Sequence, residues 1–417
     1  MSDRPKVVVL APGCDGTDVG ESWSCFQWVR GLAEQCEITL LTLRRPGRKP
    51  ASEQLEGVEV VEWDDLPLTG KWERLASMLK PGYIRYYRSA RRWLKTAIRA
   101  GRKFDLIHQV GPLAMRYPCP GIRLEIPVIF GPLAGSLETP PGFQRECAGA
   151  AWYTKFRGLD RLRLRIDPLL RRSYREADMV VGVAPYVREV LSSIRLKRFE
   201  LAAETGVWQT ADAPHALVQD PQNLRLLYVG RVVRTKGLRD VVRAMASLAD
   251  LPGITLDAAG AGEDLPLCQK LANELGVADR IRFHGRIERS AVEALYKQSD
   301  LFVFPSFREP SGNVIFEALG HGLPVITTTL GGPGFVVQDS CGIRVPAETP
   351  EQLGRDVARA IRDLVADPQR LHSLSVGALE RARDYALWPN KIARMFALYQ
   401  DVIDNSRFDD STGRTRS

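Results

Sequence analysis

Short apolar runs recur along the chain, spaced so that one helix fits between each run and the next. Residues 6–10, 38–43, 58–63, 104–108, 127–130 and 178–183 read as buried strands in the first half. Residues 224–229, 255–259, 281–284, 300–305 and 325–328 read the same way in the second half. Strands that alternate with helices wind into a mostly parallel sheet, because parallel neighbours need a crossover and the helix supplies it. The expected fold class is α/β, with two Rossmann-like, doubly wound domains. A length of 417 residues agrees with about two domains, and an apolar share of 44% is enough for a core in each. Thr205 to Pro221 is polar and irregular and no core pattern crosses it, so the linker is placed there. The expected boundaries are 1–205, 206–384, a C-terminal helix over 385–406 and a disordered tail over 407–417.

The most informative stretch is Arg308-Glu309-Pro310-Ser311-Gly312-Asn313-Val314-Ile315-Phe316-Glu317. An apolar strand precedes it, and a helix running to Gly320 follows. Ser311, Gly312 and Asn313 are expected to offer free backbone N–H groups at that helix start, an arrangement that attracts anions. Glu309 lies just before the start and Glu317 about two turns inside, so a diphosphate on the N–H groups would have carboxylates beside it for sugar hydroxyls. Taken alone, the two acids also fit an N-cap and a solvated helix residue.

The neighbours favour the first reading. Gly230-Arg231 follows the strand at 224–229, and Lys236-Gly237 opens the next helix. Two cations beyond the carboxyl end of a parallel strand can meet a diphosphate. Near the N-terminus, Gly13, Gly16, Gly20 and Glu21 form a glycine-rich turn from strand to helix, without the G-x-G-x-x-G spacing of a dinucleotide site. His108 ends a short strand, where a side chain either points into a cleft or sits satisfied in the core. Gly131 to Ser136 is a tight loop expected on the acceptor side, and Glu138 to Ala151, lacking any period, reads as a mobile flap.

Gly230-Arg231…Lys236-Gly237, Gly260-Ala261-Gly262-Glu263, His284-Gly285, Phe304-Pro305-Ser306 and Glu309-x7-Glu317 together resemble the donor half of family-4 retaining glycosyltransferases of the GT-B fold. The resemblance covers residues 224–345 and is looser in the first half. It implies two domains facing a cleft, with the C-terminal helix crossing back to the first. It implies that Arg231 and Lys236 hold the diphosphate, Glu309 the donor-sugar hydroxyls and Glu317 the ribose. Arg286 and Ile287 would flank the base, and Gly230, Ser311, Gly312, Asn313 and Val314 would complete the donor site. His108 would contact the donor sugar, and the glycine-rich turn would border the reaction site. Ser311 and Asn313 stand where the family often has Phe and a small or apolar residue.

The implied reaction moves a sugar from a nucleoside diphosphate to a hydroxyl of a glycan or lipid-linked acceptor, with retention. No Asp-x-Asp pair and no His cluster of ligand spacing occurs, so no metal and no cofactor are expected. Two other classes are compatible with a doubly wound chain: a non-catalytic nucleotide-sugar-binding protein and a nicotinamide oxidoreductase. The second lacks a G-x-G-x-x-G in either half.

Residues 71–103 carry eleven Lys and Arg against one Glu, interleaved with aromatic and aliphatic residues. Arg85, Arg88, Arg91, Arg92 and Lys95 form the expected basic face. It fits an anionic membrane surface or a solvated helix with its rings turned inward. Arg161, Arg163, Arg165, Arg171 and Arg172 form a second basic run that could extend it. A net charge of +8 suits acidic partners, with nucleic acid not expected. Seven cysteines without a Cys-x-x-Cys pair read as reduced thiols, and no leader or membrane-spanning segment is expected. The expected location is the cytoplasm, with peripheral attachment to the inner membrane face if the basic face binds lipid.

Overall fold

The computed structural model describes residues 4–66, 80–147, 158–215 and 220–411. The chain divides into two compact units. Unit 1 comprises Met1–Ser136, Ala151–Glu204 and Lys391–Ser417, and unit 2 comprises Leu137–Ala150 and Thr205–Asn390.

Unit 1 is built on a seven-stranded sheet of order β3-β2-β1-β4-β5-β6-β7. The strands are β1 (Lys6–Leu10), β2 (Glu37–Arg44), β3 (Val58–Asp64), β4 (Leu106–Gln109), β5 (Val128–Leu133), β6 (Met179–Gly182) and β7 (Phe199–Leu201). Every pairing is parallel. Unit 2 has a six-stranded sheet of order β10-β9-β8-β11-β12-β13, also parallel. Its strands are β8 (Arg225–Val229), β9 (Thr255–Ala259), β10 (Ile281–Gly285), β11 (Leu301–Phe304), β12 (Val325–Thr328) and β13 (Gly342–Val345).

The central strands are apolar on both faces because helices cover both. Val7, Val8, Val9 and Leu10 of β1 are buried, as are Leu301, Phe302, Val303 and Phe304 of β11. β7 and β13 escape a search for apolar runs: β7 is Phe-Glu-Leu, half-buried at a sheet edge, and β13 is Gly-Ile-Arg-Val. An edge strand has a neighbour on one side only, and the side chains of these two are covered less fully than those of the central strands.

Three expectations about organisation change. Residues 137–147 are not a flap of the first domain but part of unit 2. Phe143 stacks on Phe307 at 4.1 Å between ring centroids, and Glu146 pairs with both Arg234 and Arg243. The stretch after Thr205 is also no bare linker, since Val207 bridges to Leu387 and the Ala211 N–H reaches the Gly320 carbonyl. The C-terminal helix runs Trp388–Ser411, and from Lys391 it belongs to unit 1. Residues 407–411 are therefore helical rather than a disordered tail, and Arg407 pairs with Asp105. Residues 412–417 lie outside the described set.

Candidate donor-binding site

In unit 2 the strand order reverses between β8 and β11, so the connections leaving these two neighbours diverge. Open α/β sheets bind ligands beyond the carboxyl ends of strands at such a point. β8 delivers Gly230 and Arg231 there, and β11 delivers Pro305 to Glu309. Arg231 is exposed. Lys236 closes a short turn, Arg234–Lys236, ahead of the helix Leu238–Ser247. Gly237 allows that junction: its φ is 84°, and a Cβ there would collide with the Pro305 carbonyl. The two loops are then laced together, the Ser306 hydroxyl donating to the Thr235 carbonyl at 2.9 Å and the Thr328 hydroxyl to the Ser306 carbonyl at 2.7 Å.

Lys236 is only 8% exposed, and its Nζ forms an ion pair with Oε2 of Glu309. Burial pulls the ammonium below the usual lysine range, and Glu309 opposes that pull. The other Glu309 oxygen accepts long hydrogen bonds from the Ser311 and Gly312 N–H groups, at 3.4 and 3.3 Å. The N–H groups of Ser311 and Gly312 are therefore not free as expected. Glu309 itself sits over the start of the helix Asn313–Gly320, where a negative charge is favoured. A second glycine stretch fixes this loop: Gly331, at φ 64°, passes so close to the Glu309 carbonyl that no side chain fits.

Ser311 is 4% exposed, and its hydroxyl has no hydrogen-bond partner among the described residues. Asn313 and Val314 begin the helix and are half-buried. Glu317 pairs with Arg289 at 3.0 Å and accepts from the Tyr296 hydroxyl at 3.2 Å. Burial raises the Glu317 pKa, and Arg289 counters it. Arg289 and Tyr296 belong to no motif in the sequence, but seven residues apart on one helix is two turns and places them on one face. Arg286 is exposed and Ile287 half-buried, just beyond β10 at the sheet edge.

The other expected residues belong to unit 1. Gly13 and Gly16 press against the helix Glu21–Leu32, where a Cβ would lie 2.9 Å from Ser22 Oγ and 2.8 Å from the Phe26 ring respectively. Gly20 is the N-cap of that helix at φ 68°, and Glu21 pairs with Lys80 and accepts from the Leu113 N–H at 3.3 Å. His108 departs from expectation. It is 0% exposed, with Nδ1 2.5 Å from the Tyr399 hydroxyl and Nε2 2.6 Å from the Gly131 carbonyl. With both nitrogens engaged it is a satisfied core residue, and burial pushes its pKa down to about 4.

The basic stretch forms a helix over Tyr83–Arg99, while residues 71–79 lie outside the described set. Tyr83, Tyr86, Ala90, Leu94 and Ala97 turn inward, and Ile84, Arg85, Arg88, Arg92 and Lys95 turn outward. Arg91 does not belong to this face: it is held by the carbonyls of Pro120 and Ile122, each at 2.8 Å. In the second basic run, Arg163 pairs with Asp167 and Arg171 caps the Leu164 and Ser193 carbonyls. No described helix is long and apolar enough to cross a membrane.

Comparison with known proteins agrees with the two-part α/β fold. Residues 20–202 match the glycosyl transferase 4-like domain, and residues 211–378 match the glycosyl transferases group 1. A lipopolysaccharide core biosynthesis glycosyltransferase, LpsE of Rhizobium meliloti, is 32% identical over 50% of this chain and 62% of its own. D-inositol 3-phosphate glycosyltransferase 1 of Catenulispora acidiphila is 30% identical over 58% of this chain and 59% of its own. The matched part thus spans less than two thirds of either relative. Sucrose-phosphate synthase from Thermosynechococcus elongatus shares the fold at a TM-score of 0.65 and 19% identity, covering 96% of this chain and 100% of that one. HepE of Anabaena, solved in complex with UDP, does so at 0.65 and 16%, covering 95% and 100%.

Proposed function

Since this chain belongs to the group 1, family-4-like glycosyltransferases of the GT-B fold, we propose that it moves a sugar from a nucleoside diphosphate to a hydroxyl of a glycan or lipid-linked acceptor. The proposed setting is cell-surface polysaccharide or glycoconjugate synthesis, as the name of the LpsE relative suggests. One observation carries the reading: the buried Lys236–Glu309 pair stands beyond β8 and β11, at the start of the helix that also carries Glu317. A fixed cation beside a helix N-terminus suits a leaving diphosphate, because charge that grows as the sugar departs meets groups already oriented for it.

In this proposal Lys236 and Arg231 hold the diphosphate, Glu309 the sugar hydroxyls and Glu317 the ribose. The configuration is retained. The acceptor oxygen attacks the anomeric carbon on the face that the phosphate leaves, the bond from carbon to phosphate oxygen breaks, and that oxygen takes the acceptor proton. No metal is needed where these cations offset the leaving charge. The outward face of Tyr83–Arg99 supports a second part of the proposal, docking on an anionic membrane surface near a lipid-linked acceptor.

The test is turnover of a panel of UDP- and GDP-sugars with glycan and lipid-linked acceptors, with and without EDTA. Release of nucleoside diphosphate that persists in chelator is the expected result. Absence of both binding and turnover across the panel overturns the transferase reading, and activity that requires added magnesium or manganese overturns the metal-free mechanism.

A further inference from the structure

Arg308 and Arg234 are buried to different ends. Arg234 is 7% exposed and saturated: Asp240 receives two hydrogen bonds from it, at 2.6 and 3.0 Å, and Glu146 pairs with it as well. The rings of Phe143 and Phe307 lie 5.2 and 5.1 Å from its guanidinium carbon. This is a cation held for structure, with two carboxylates to offset its charge and a stacked pair of rings beside it.

Arg308 has no such surroundings. It is half-buried in the loop after β11, directly before Glu309. A single hydrogen bond runs from its Nη1 to the Thr139 hydroxyl at 2.6 Å, and its Nε has no partner among the described residues. Burial pulls its pKa down, with only the Cys147 thiol opposing. Arg308 and Arg231 both act on Lys236 electrostatically, and among the described residues only Lys236 of the three pairs with Glu309. The unpartnered Ser311 hydroxyl lies three residues on. A guanidinium carries five donors in a planar fork and gains most from a two-oxygen anion. Burying one without an acid is costly unless a ligand supplies the charge.

Thr139 can aim this fork because its own segment is fixed. Residues 137–147 are clamped to unit 2 through Phe143 and Glu146, a few residues along. We infer that Arg308, positioned by Thr139, is a further binding residue of the donor site and takes an oxyanion of the donor. The oxyanion is either a phosphate of the nucleotide or a carboxylate on the sugar ring. This rests on the transferase reading above.

Titration calorimetry separates the two sources. The ligands are UDP, UDP-glucose and UDP-glucuronate, with GDP and GDP-mannose as base controls, on the unmodified chain, Arg308→Gln, Arg308→Lys and Thr139→Val. Loss of a charge-assisted hydrogen bond predicts binding about 10- to 100-fold weaker in Arg308→Gln, with a smaller loss in Thr139→Val. Weakening of every ligand, the free diphosphate included, assigns the phosphate. Weakening confined to UDP-glucuronate assigns a sugar carboxylate. Arg308→Lys keeps the charge and loses the fork, and an intermediate affinity is expected. It also serves if the Gln variant is unfolded by circular dichroism. Unchanged affinities in the folded variants overturn the inference and leave the transferase reading standing. No binding of any of the five by the unmodified chain overturns both.

Discussion

Lys236 and Glu309 pair with one another, and the carboxylate opposes the pull of burial on the ammonium. Donor binding adds the negative diphosphate to the same cation, and the effect of Lys236 should grow as the sugar leaves. Removing one oriented charge-stabilising group lowers kcat by about 10²–10³-fold, and that loss is expected for Lys236→Ala, with a smaller change in nucleoside diphosphate affinity. Lys236→Arg should restore little, because a planar fork replaces a point charge. Steady-state kinetics with a melting curve checks this, since the variant also leaves Glu309 without its partner. Near-normal kcat in a folded Lys236→Ala protein would falsify the assignment. Lys236, Glu309 and Glu317 are legible in the sequence, because each follows an apolar strand at a fixed offset. Their partners are not. Nothing local in Tyr296 or Thr139 marks it as a neighbour of Glu317 or Arg308; tertiary packing brings them together. His108 fails for the opposite reason: a strand-end position permits either orientation, and the register of β4 with β1 and β5 places it toward Tyr399.

At the scale of elements, the helix Tyr83–Arg99 shows how one pattern serves two surfaces. Its rings and small residues meet the sheet, and its cations face outward around Ile84, which is 65% exposed. An exposed aliphatic residue ringed by arginines is suited to an anionic lipid headgroup layer. Each such cation contributes about 1 kcal/mol at a charged surface, weakened by salt. The charge-reversing set Arg85→Glu, Arg88→Glu and Arg92→Glu should abolish sedimentation with vesicles rich in phosphatidylglycerol at low salt, while Arg91→Glu should instead lower thermal stability by removing carbonyl contacts. If the unmodified protein fails to sediment, the membrane proposal is wrong. The core strands of both sheets are legible because burial on both faces demands apolar runs. β7, β13 and the segment 137–147 are not, since half-buried edges and a clamp held by Phe143 and Glu146 leave no periodic trace.

At the scale of the whole chain, unit 1 is closed by a helix that arrives after all of unit 2. Ile392 packs where Gly31 leaves room, the Lys391 ammonium donates to the Ala203 carbonyl at 2.6 Å, and Tyr399 meets His108. This ties unit 1 stability to a buried histidine. A group whose folded pKa is depressed contributes stability that is present above its unfolded pKa and lost as pH falls toward the folded one. For His108 that window runs from the ordinary value of 6.5 down to about 4. Across it the unfolded chain holds one proton that the folded chain does not, so stability falls by about 1.4 kcal/mol per pH unit. The expected total is about 3 kcal/mol. Native-state hydrogen exchange, corrected for intrinsic rates, should show amides of β1 and β4 losing protection over this range. His108→Gln can keep a donor and an acceptor but cannot titrate, so the difference in protection between the two proteins should shrink steadily toward pH 4. Parallel pH profiles in the two proteins would mean that the buried imidazole does not set the acid limit of unit 1.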